Sequence, residues 1–444
     1  MSFPVAAETV NLQQAIEMAL GADPRVKERE RLVDAARALL EEVEGNKGFR
    51  YDLNAFAALT TGVEGGLYKN GATTCSGNCE LRDDAYDFND GVSLWTNLQV
   101  TIVKPLYSFG RIESYADAAE KNITVKQGDI ALQRADTIID VTRAYNGYLA
   151  ARDTRLLLLD TKKRLASALE LVERFLEEEK GNIKLTDKYA LQSGLSLTER
   201  YLSQAEGIQK IALDGLKFLT GVGLDKPLTV ADRRIRPVAL PTLSLPEFKS
   251  LALENRPEML QVKAGLAARR SLVEANRAEK KPVIYAGVAG ALSYSPGRDR
   301  LDNPHIYDPF NFAAFTPLVG LQWQWQSGVQ PARVKKAQAE LDALIEKASL
   351  AQQGIPFQVA EQYYQVEAHY KAVKHMKESS KAARRWMIAA YTDFEAGLGE
   401  PAAILDALKA YVLAYSEYLS LVNDYNLYVA KLDKAIGVRH ESIN

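Results

Sequence analysis

Residues 111–180 read RIESYADAAEKNITVKQGDIALQRADTIIDVTRAYNGYLAARDTRLLLLDTKKRLASALELVERFLEEEK, a run without a proline. As one helix it is on the order of 100 Å long at about 1.5 Å per residue, too long for a compact globular domain to enclose. Ile138, Val141, Tyr145 and Leu149 recur at helical spacing, and Leu165, Leu169, Val172 and Leu176 do so again. Leu156 to Leu159 present apolar side chains to every face, so neighbours are expected to cover the rod there on several sides. Gly181 then supplies a residue that tolerates the left-handed conformation ending many helices. A return helix follows, striped by Leu191, Leu195, Leu202 and Ala205. Taken alone, the stretch is an antiparallel coiled-coil hairpin.

The whole chain has 444 residues, which suggests two or three domains. Its 47% hydrophobic and 25% charged residues are ordinary for an ordered protein. A formal net charge of -2 excludes a global basic field that would draw it to nucleic acid. No stretch approaches the roughly 18 uninterrupted apolar residues of a helical membrane span, so any membrane role must use strands. The opening Met1 to Glu8 has no charged front. Val5-Ala6-Ala7 suits the small-residue end of a replaced secretory signal, although chance accounts for it nearly as well. Cys75 and Cys79 enclose Ser-Gly-Asn, a spacing that suits a small disulfide loop and an oxidising compartment; the alternative is two surface thiols.

In chain order, residues 11–44 are expected to be helical with a turn or kink at Asp23-Pro24. Tyr51 to Thr60 alternates with period two, and Val92 to Leu106 does so again, with Leu94, Leu98, Val100 and Ile102 on one face and Trp95 on the other. A polar loop carrying the cysteines separates these strands. Phe248 to Ala278 then repeats the opening helix, Val283 to Tyr294 is an alanine- and glycine-rich strand, residues 295–315 form a loop, and Leu318 to Trp325 is a strand. Pro257 against Pro24 gives 257 − 24 = 233, and further on one offset recurs: Gly328 against Gly110, Tyr363 against Tyr145 and Gly399 against Gly181 give 328 − 110 = 363 − 145 = 399 − 181 = 218. Such spacing marks an internal duplication. The expected division is 1–221 for a first structural repeat, 222–246 for a linker, 247–437 for a second repeat and 438–444 for a tail. The closing helix sustains a heptad seam from Leu405 to Val429 in which Asn426 fills the one polar place.

The fold class is therefore α+β, mostly α. Four strands per chain have apolar faces with no core to meet, because the helices are separate rods. A membrane barrel needs about eight strands or more, so several copies would have to pool theirs. The element order, the turn Pro105-Leu106-Tyr107-Ser108-Phe109-Gly110-Arg111, the second tip from Phe394 to Ala407 and the ending Leu432 to Gly437 together resemble the outer-membrane efflux proteins, the TolC-like channels. The resemblance runs over about residues 12–437 and rests on the element order more than on any one motif. It implies a homotrimer whose twelve strands form one transmembrane β-barrel and whose long helical hairpins form a periplasmic α-barrel. A small mixed belt from Gly223 to Pro246, with the termini, would surround the tunnel. The implied role is a passive exit duct for efflux or type I secretion, in contact with outer-membrane lipid, docked to a periplasmic adaptor protein and an inner-membrane pump or ABC exporter.

In such channels inward-facing aspartates close the helical tips, and the matching residues here are Asp187 and Asp406. The pattern departs at Ala403, where a second aspartate is expected, at Gly399 in place of a basic residue, and at Phe394 in place of a tyrosine. Read from the sequence alone, Asp187 and Asp406 lie near helix starts, where capping and dipole compensation account for them equally well. Rings of them would favour cations. Gly181, Gly397 and Gly399 mark the tip turns. Trp323, Trp325 and Tyr285 are candidate membrane-interface aromatics, with ordinary strand aromatics as the alternative. Lys381, Arg384 and Arg385 could meet an adaptor, or form a solvated face. No nucleotide-binding glycine loop, catalytic constellation or metal-ligand spacing is present, so neither an enzyme nor a cofactor is expected. The competing reading is a soluble periplasmic coiled-coil scaffold whose strands form a small sheet docked on the rods.

Overall fold

The computed structural model describes residues 8–63, 68–69, 77, 80–81, 91–179, 183–300, 307–396 and 398–438. The first repeat runs β1 (Glu8–Val10), α1 (Leu12–Ala22), α2 (Pro24–Gly45), β2 (Arg50–Thr61), β3 (Val92–Tyr107), α3 (Arg111–Glu177) and α4 (Leu185–Thr220). The second runs β4 (Leu228–Val230), α5 (Leu245–Asn255), α6 (Pro257–Ala278), β5 (Val283–Tyr294), β6 (Phe312–Gln322), α7 (Val329–Glu395) and α8 (Pro401–Ile436). Equivalent elements have equal lengths, 67 residues for α3 and α7 and 36 for α4 and α8 among them; only β3 and β6 differ, at 16 and 11. The second repeat thus opens with β4, inside the stretch expected to be linker.

The chain forms two compact units that do not follow the repeats. One takes residues 1–33, 124–263 and 346–444, the other 34–123 and 264–345, so each draws on both repeats.

In the first unit β1 and β4 pair in parallel, Val10 against Val230. An asparagine cap starts α1: Asn11 Oδ1 accepts from Gln14 N at 2.8 Å while Gln14 Oε1 accepts from Asn11 N at 3.0 Å. Both return helices end on a left-handed glycine, Gly221 at φ 72° and Gly437 at φ 80°. The core joins α1 and α5 to the long helices through Ile16, Phe248, Tyr145, Val359, Val422 and Tyr425. Of the four leucines expected to be covered, Leu157 and Leu158 are buried, whereas Leu156 and Leu159 are exposed.

The second unit holds an antiparallel sheet in the order β2-β3-β5-β6. Two of the four strands come from each repeat. The expected boundaries hold for β2, β3 and β5. The last strand differs: it starts at Phe312 and ends at Gln322, so Trp323 and Trp325 lie past it. Pro317 is tolerated in β6 because this is an edge strand. At the foot of β3 the chain turns into α3 through Phe109 and Gly110, both at positive φ, 53° and 82°. Ser108 Oγ accepts from Ile112 N at 3.3 Å and donates to Glu113 at 3.0 Å, fastening the new helix.

Candidate functional site

The sheet register sorts the strand residues onto two unlike faces. Leu53 pairs with Val100, Ala55 with Leu98 and Leu59 with Leu94. Val100 pairs in turn with Gly290, Leu98 with Leu292, and Gly290 with Phe315. This face continues through Val319 and Leu321, and Leu53, Leu59, Phe315 and Val319 are each between 67% and 77% exposed. The opposite face carries Asp52, Asn54, Asn97, Gln99 and Thr101 on β2 and β3, and Gly287, Ala289, Ala291 and Ser293 on β5. Among the described residues of the second unit the strand side chains of this face stay exposed, which does not favour a small sheet docked on rods. Both outer edges, β2 and β6, lack a strand partner among the described residues.

Tyr285 pairs with Pro105 and Gly320, which puts it on the polar face rather than the apolar one. Its hydroxyl end fills the space over Gly320, where a Cβ would stand 2.5 Å from it. As a candidate membrane-interface aromatic, Tyr285 thus stands on the face opposite the apolar one. Trp323 is exposed, with Nε1 donating to Lys280 O at 3.1 Å, and Trp325 is exposed beside it. Trp95 lies on the polar face, as the alternation requires, donating to Ser293 Oγ at 2.7 Å between the rings of Phe56 and Phe310.

In the first unit the two helical hairpins meet at their tips. Leu165, Val172 and Leu191 of α3 and α4 share a core with Met387, Phe394, Ile404 and Leu408 of α7 and α8. Phe394 is buried, its ring centroid 5.9 Å from that of Phe175. Gly399 is held by its N–H donating to Asp393 O at 3.1 Å, and a Cβ there would stand 3.0 Å from Phe394 N, a tight approach to the helix end. Gly181 and Gly397 lie outside the described residues, as do Cys75 and Cys79.

The two aspartates have different settings. Asp187 is the third residue of α4, and its carboxylate accepts from Lys184 N at 2.9 Å, so it does cap a helix. Ala403 holds the same place in α8. Asp406, one turn further on, is exposed opposite the buried Ile404, Ala407 and Leu408, with Lys409 Nζ at 3.9 Å. Lys381, Arg384 and Arg385 are exposed, and Lys381 pairs with Glu378 at 2.7 Å.

One constellation was not singled out from the sequence. Buried polar side chains of α3 and α8 fasten the segment after β4. Tyr145 donates to Asp232 at 2.6 Å, Ile235 N donates to Asp153 Oδ2 at 2.9 Å, and Asn426 accepts from Val238 N and donates to Arg236 O, both at 2.9 Å. Burial pushes the Tyr145 phenol and the Asp153 carboxyl up. The lone polar place in the α8 heptad was the legible trace of this strap.

Residues 249–438 match the model of the outer membrane efflux protein family. The alkaline protease secretion protein AprF of Pseudomonas aeruginosa is 23% identical over 349 residues, covering 77% of this chain and 70% of its own. The outer-membrane channel OprN shares the fold at a TM-score of 0.74 and 18% identity, covering 96% of this chain and 89% of its own. The transmembrane channel CusC does so at 0.74 and 16%, covering 99% and 95%. The open-state MtrE channel of Neisseria gonorrhoeae does so at 0.73 and 17%, covering 96% and 89%.

Proposed function

From the match of residues 249–438 to the outer membrane efflux protein family and the shared channel fold, we propose that this chain is a member of that family and that three copies close into one passive exit duct serving a tripartite efflux or type I secretion system. The observation that carries this reading is the four-stranded sheet, apolar and bare on one face, polar on the other and open at both edges. Its strands alternate in direction, so β2 and β6 run antiparallel to each other. The β6 edge of one copy can therefore pair antiparallel with the β2 edge of the next, a head-to-tail contact that closes by rotation. Three copies supply 3 × 4 = 12 strands, above the roughly eight that a closed membrane barrel requires. Strands of 11 to 16 residues meet the roughly 9–11 that cross a bilayer when tilted.

The duct stands in the outer membrane and extends into the periplasm. Its apolar face meets lipid, its polar face meets water, and the helical tips take up the periplasmic adaptor and the inner-membrane pump or exporter. At the tips, exposed Asp406 side chains from three copies concentrate negative potential and favour cations. Asp187, whose place in α8 is taken by Ala403 one turn before Asp406, adds to that potential while also holding its helix start.

In mild detergent the purified chain should have the mass of three copies, and it should pass ions across a planar bilayer; a single copy without current would overturn the duct. Asp406→Ala should lower the preference for cations over anions and weaken block by divalent cations. Unaltered selectivity would remove Asp406 from the gate and leave the duct standing.

A further inference from the structure

The apolar face of the sheet ends in two unlike rims. At one, the outward positions are Thr61, Val92 and Tyr294, without a charge. At the other, where the strands join α2, α3 and α6, there are three exposed lysines: Lys104, three residues before the end of β3, and Lys280 and Lys281 just before β5. Lys104 lies on the apolar face, its register partner being Ala286.

None of the three forms an ion pair among the described residues, and two carboxylates of this end of the unit have other partners. Glu279 is taken by the Tyr115 hydroxyl at 2.7 Å and by Arg333 at 3.0 Å, and Asp52 by Arg50 at 2.9 Å. Aromatic rings hold two of the ammonium groups instead. Lys104 Nζ lies 5.3 Å from the Phe49 centroid and Lys281 Nζ 5.9 Å from that of Phe109. The Trp323 indole binds the backbone of Lys280. An ammonium seated on a ring keeps N–H donors free, and each stands where an apolar wall gives way to water.

We propose that this rim is a binding site for anionic phospholipid headgroups in the periplasm-facing leaflet of the outer membrane. It rests on the reading of the sheet as a membrane wall. The three lysines donate to headgroup phosphate, the rings lie at the depth of the glycerol, and the acyl chains run along the bare apolar face. Among the described residues the outward-facing positions of the sheet carry a cation only at this rim, since Arg298 at the other binds Thr61 and the Phe310 ring packed on polar-face Trp95; this selects the leaflet, and the apolar surface beside Lys104 commits the site to lipid.

The experiment compares phosphatidylglycerol with phosphatidylcholine of the same chains, presented to the detergent-purified full chain and counted as retained lipid by native mass spectrometry. Each engaged lysine should raise the preference for phosphatidylglycerol by roughly fivefold. The triple variant Lys104→Gln, Lys280→Gln, Lys281→Gln should bring the ratio close to one, whereas Lys374→Gln with Lys377→Gln on α7 should leave it unchanged. Equal retention of the two lipids by the unaltered protein, or a preference that survives the triple variant, would overturn the site. Bilayer currents in phosphatidylcholine report on the duct alone, so a missing lipid preference with intact current counts against this site and not against the duct.

Discussion

Asp23 and Arg256 stand at the same point of the two repeats, each just before the proline that starts a helix, and they carry opposite charges. Two residues on, the charges reverse again: Arg25 pairs with Asp23 at 2.9 Å, and Glu258 with Arg256 at 2.5 Å. Each repeat keeps its ion pair with the roles exchanged, a pattern that the spacing of 233 exposes but hydrophobic periodicity does not. Burial works against the charge of Asp23, but its bonds from Arg25 and Thr137 outweigh this and hold the carboxyl below its usual range. Its stabilisation is therefore present above the unfolded carboxylate pKa of about 4 and is lost as pH falls through the depressed folded value. Asp153 has the opposite sign, since burial raises it despite the Ile235 N–H. Its contribution is fully present below the unfolded pKa and is lost as pH rises through the raised folded value. In unfolding titrations of the detergent-solubilised protein, Asp23→Asn should destabilise at neutral pH and lose that effect in acid. Asp153→Asn should gain stability relative to the parent at neutral pH and gain nothing in acid.

Among the elements, the sheet is the most demanding about shape. A Cβ on Gly287 would overlap Ile102 O and Val103 Cα across the β3–β5 pairing, whereas one on Gly290 has 3.8 Å of clearance. Gly287→Ala is expected to cost about 2 kcal/mol by overpacking and to lower the yield of assembled protein in outer-membrane extracts, while Gly290→Ala stays near the parent. The same glycines and alanines explain what the sequence concealed. In β5 side chains this small leave little contrast between faces, so the side taken by Tyr285 emerged only from the register. Phe312 to Phe315 shows no alternation either, and the β6 start was read as loop while the alternation after Leu318 was carried past its end. The long helices were legible to within a few residues because their stripes recur over many turns. The parallel β1–β4 pair was not, since three residues are too few to show a period.

The whole molecule divides two ways, and the difference has a consequence. By sequence it is two repeats, yet each compact unit is assembled from pieces of both. The sheet alternates its sources, since β3 of the first repeat and β5 of the second share its central pairing. The strap from Asp232 to Ala239 leaves β4 of the second repeat and lies on Tyr145 and Asp153 of the first and on Tyr425 and Asn426 of the second. A single repeat would keep its helical stripes but expose the faces that the other repeat covers: Phe248 and Val359 would lose Ile16 and Tyr145. Cutting the chain in the exposed turn between Gly223 and Lys226 and expressing the halves separately should therefore give two protease-sensitive products. Expressed together, the halves should recover a protease-resistant, detergent-stable assembly, because every surface that defines each unit is present again. Resistance of either half alone would show that a repeat folds by itself and that the mixed units are a late docking of finished parts. Sensitivity of the co-expressed pair would instead show that the connection through the turn, and the order of folding it imposes, is needed to bring the repeats together.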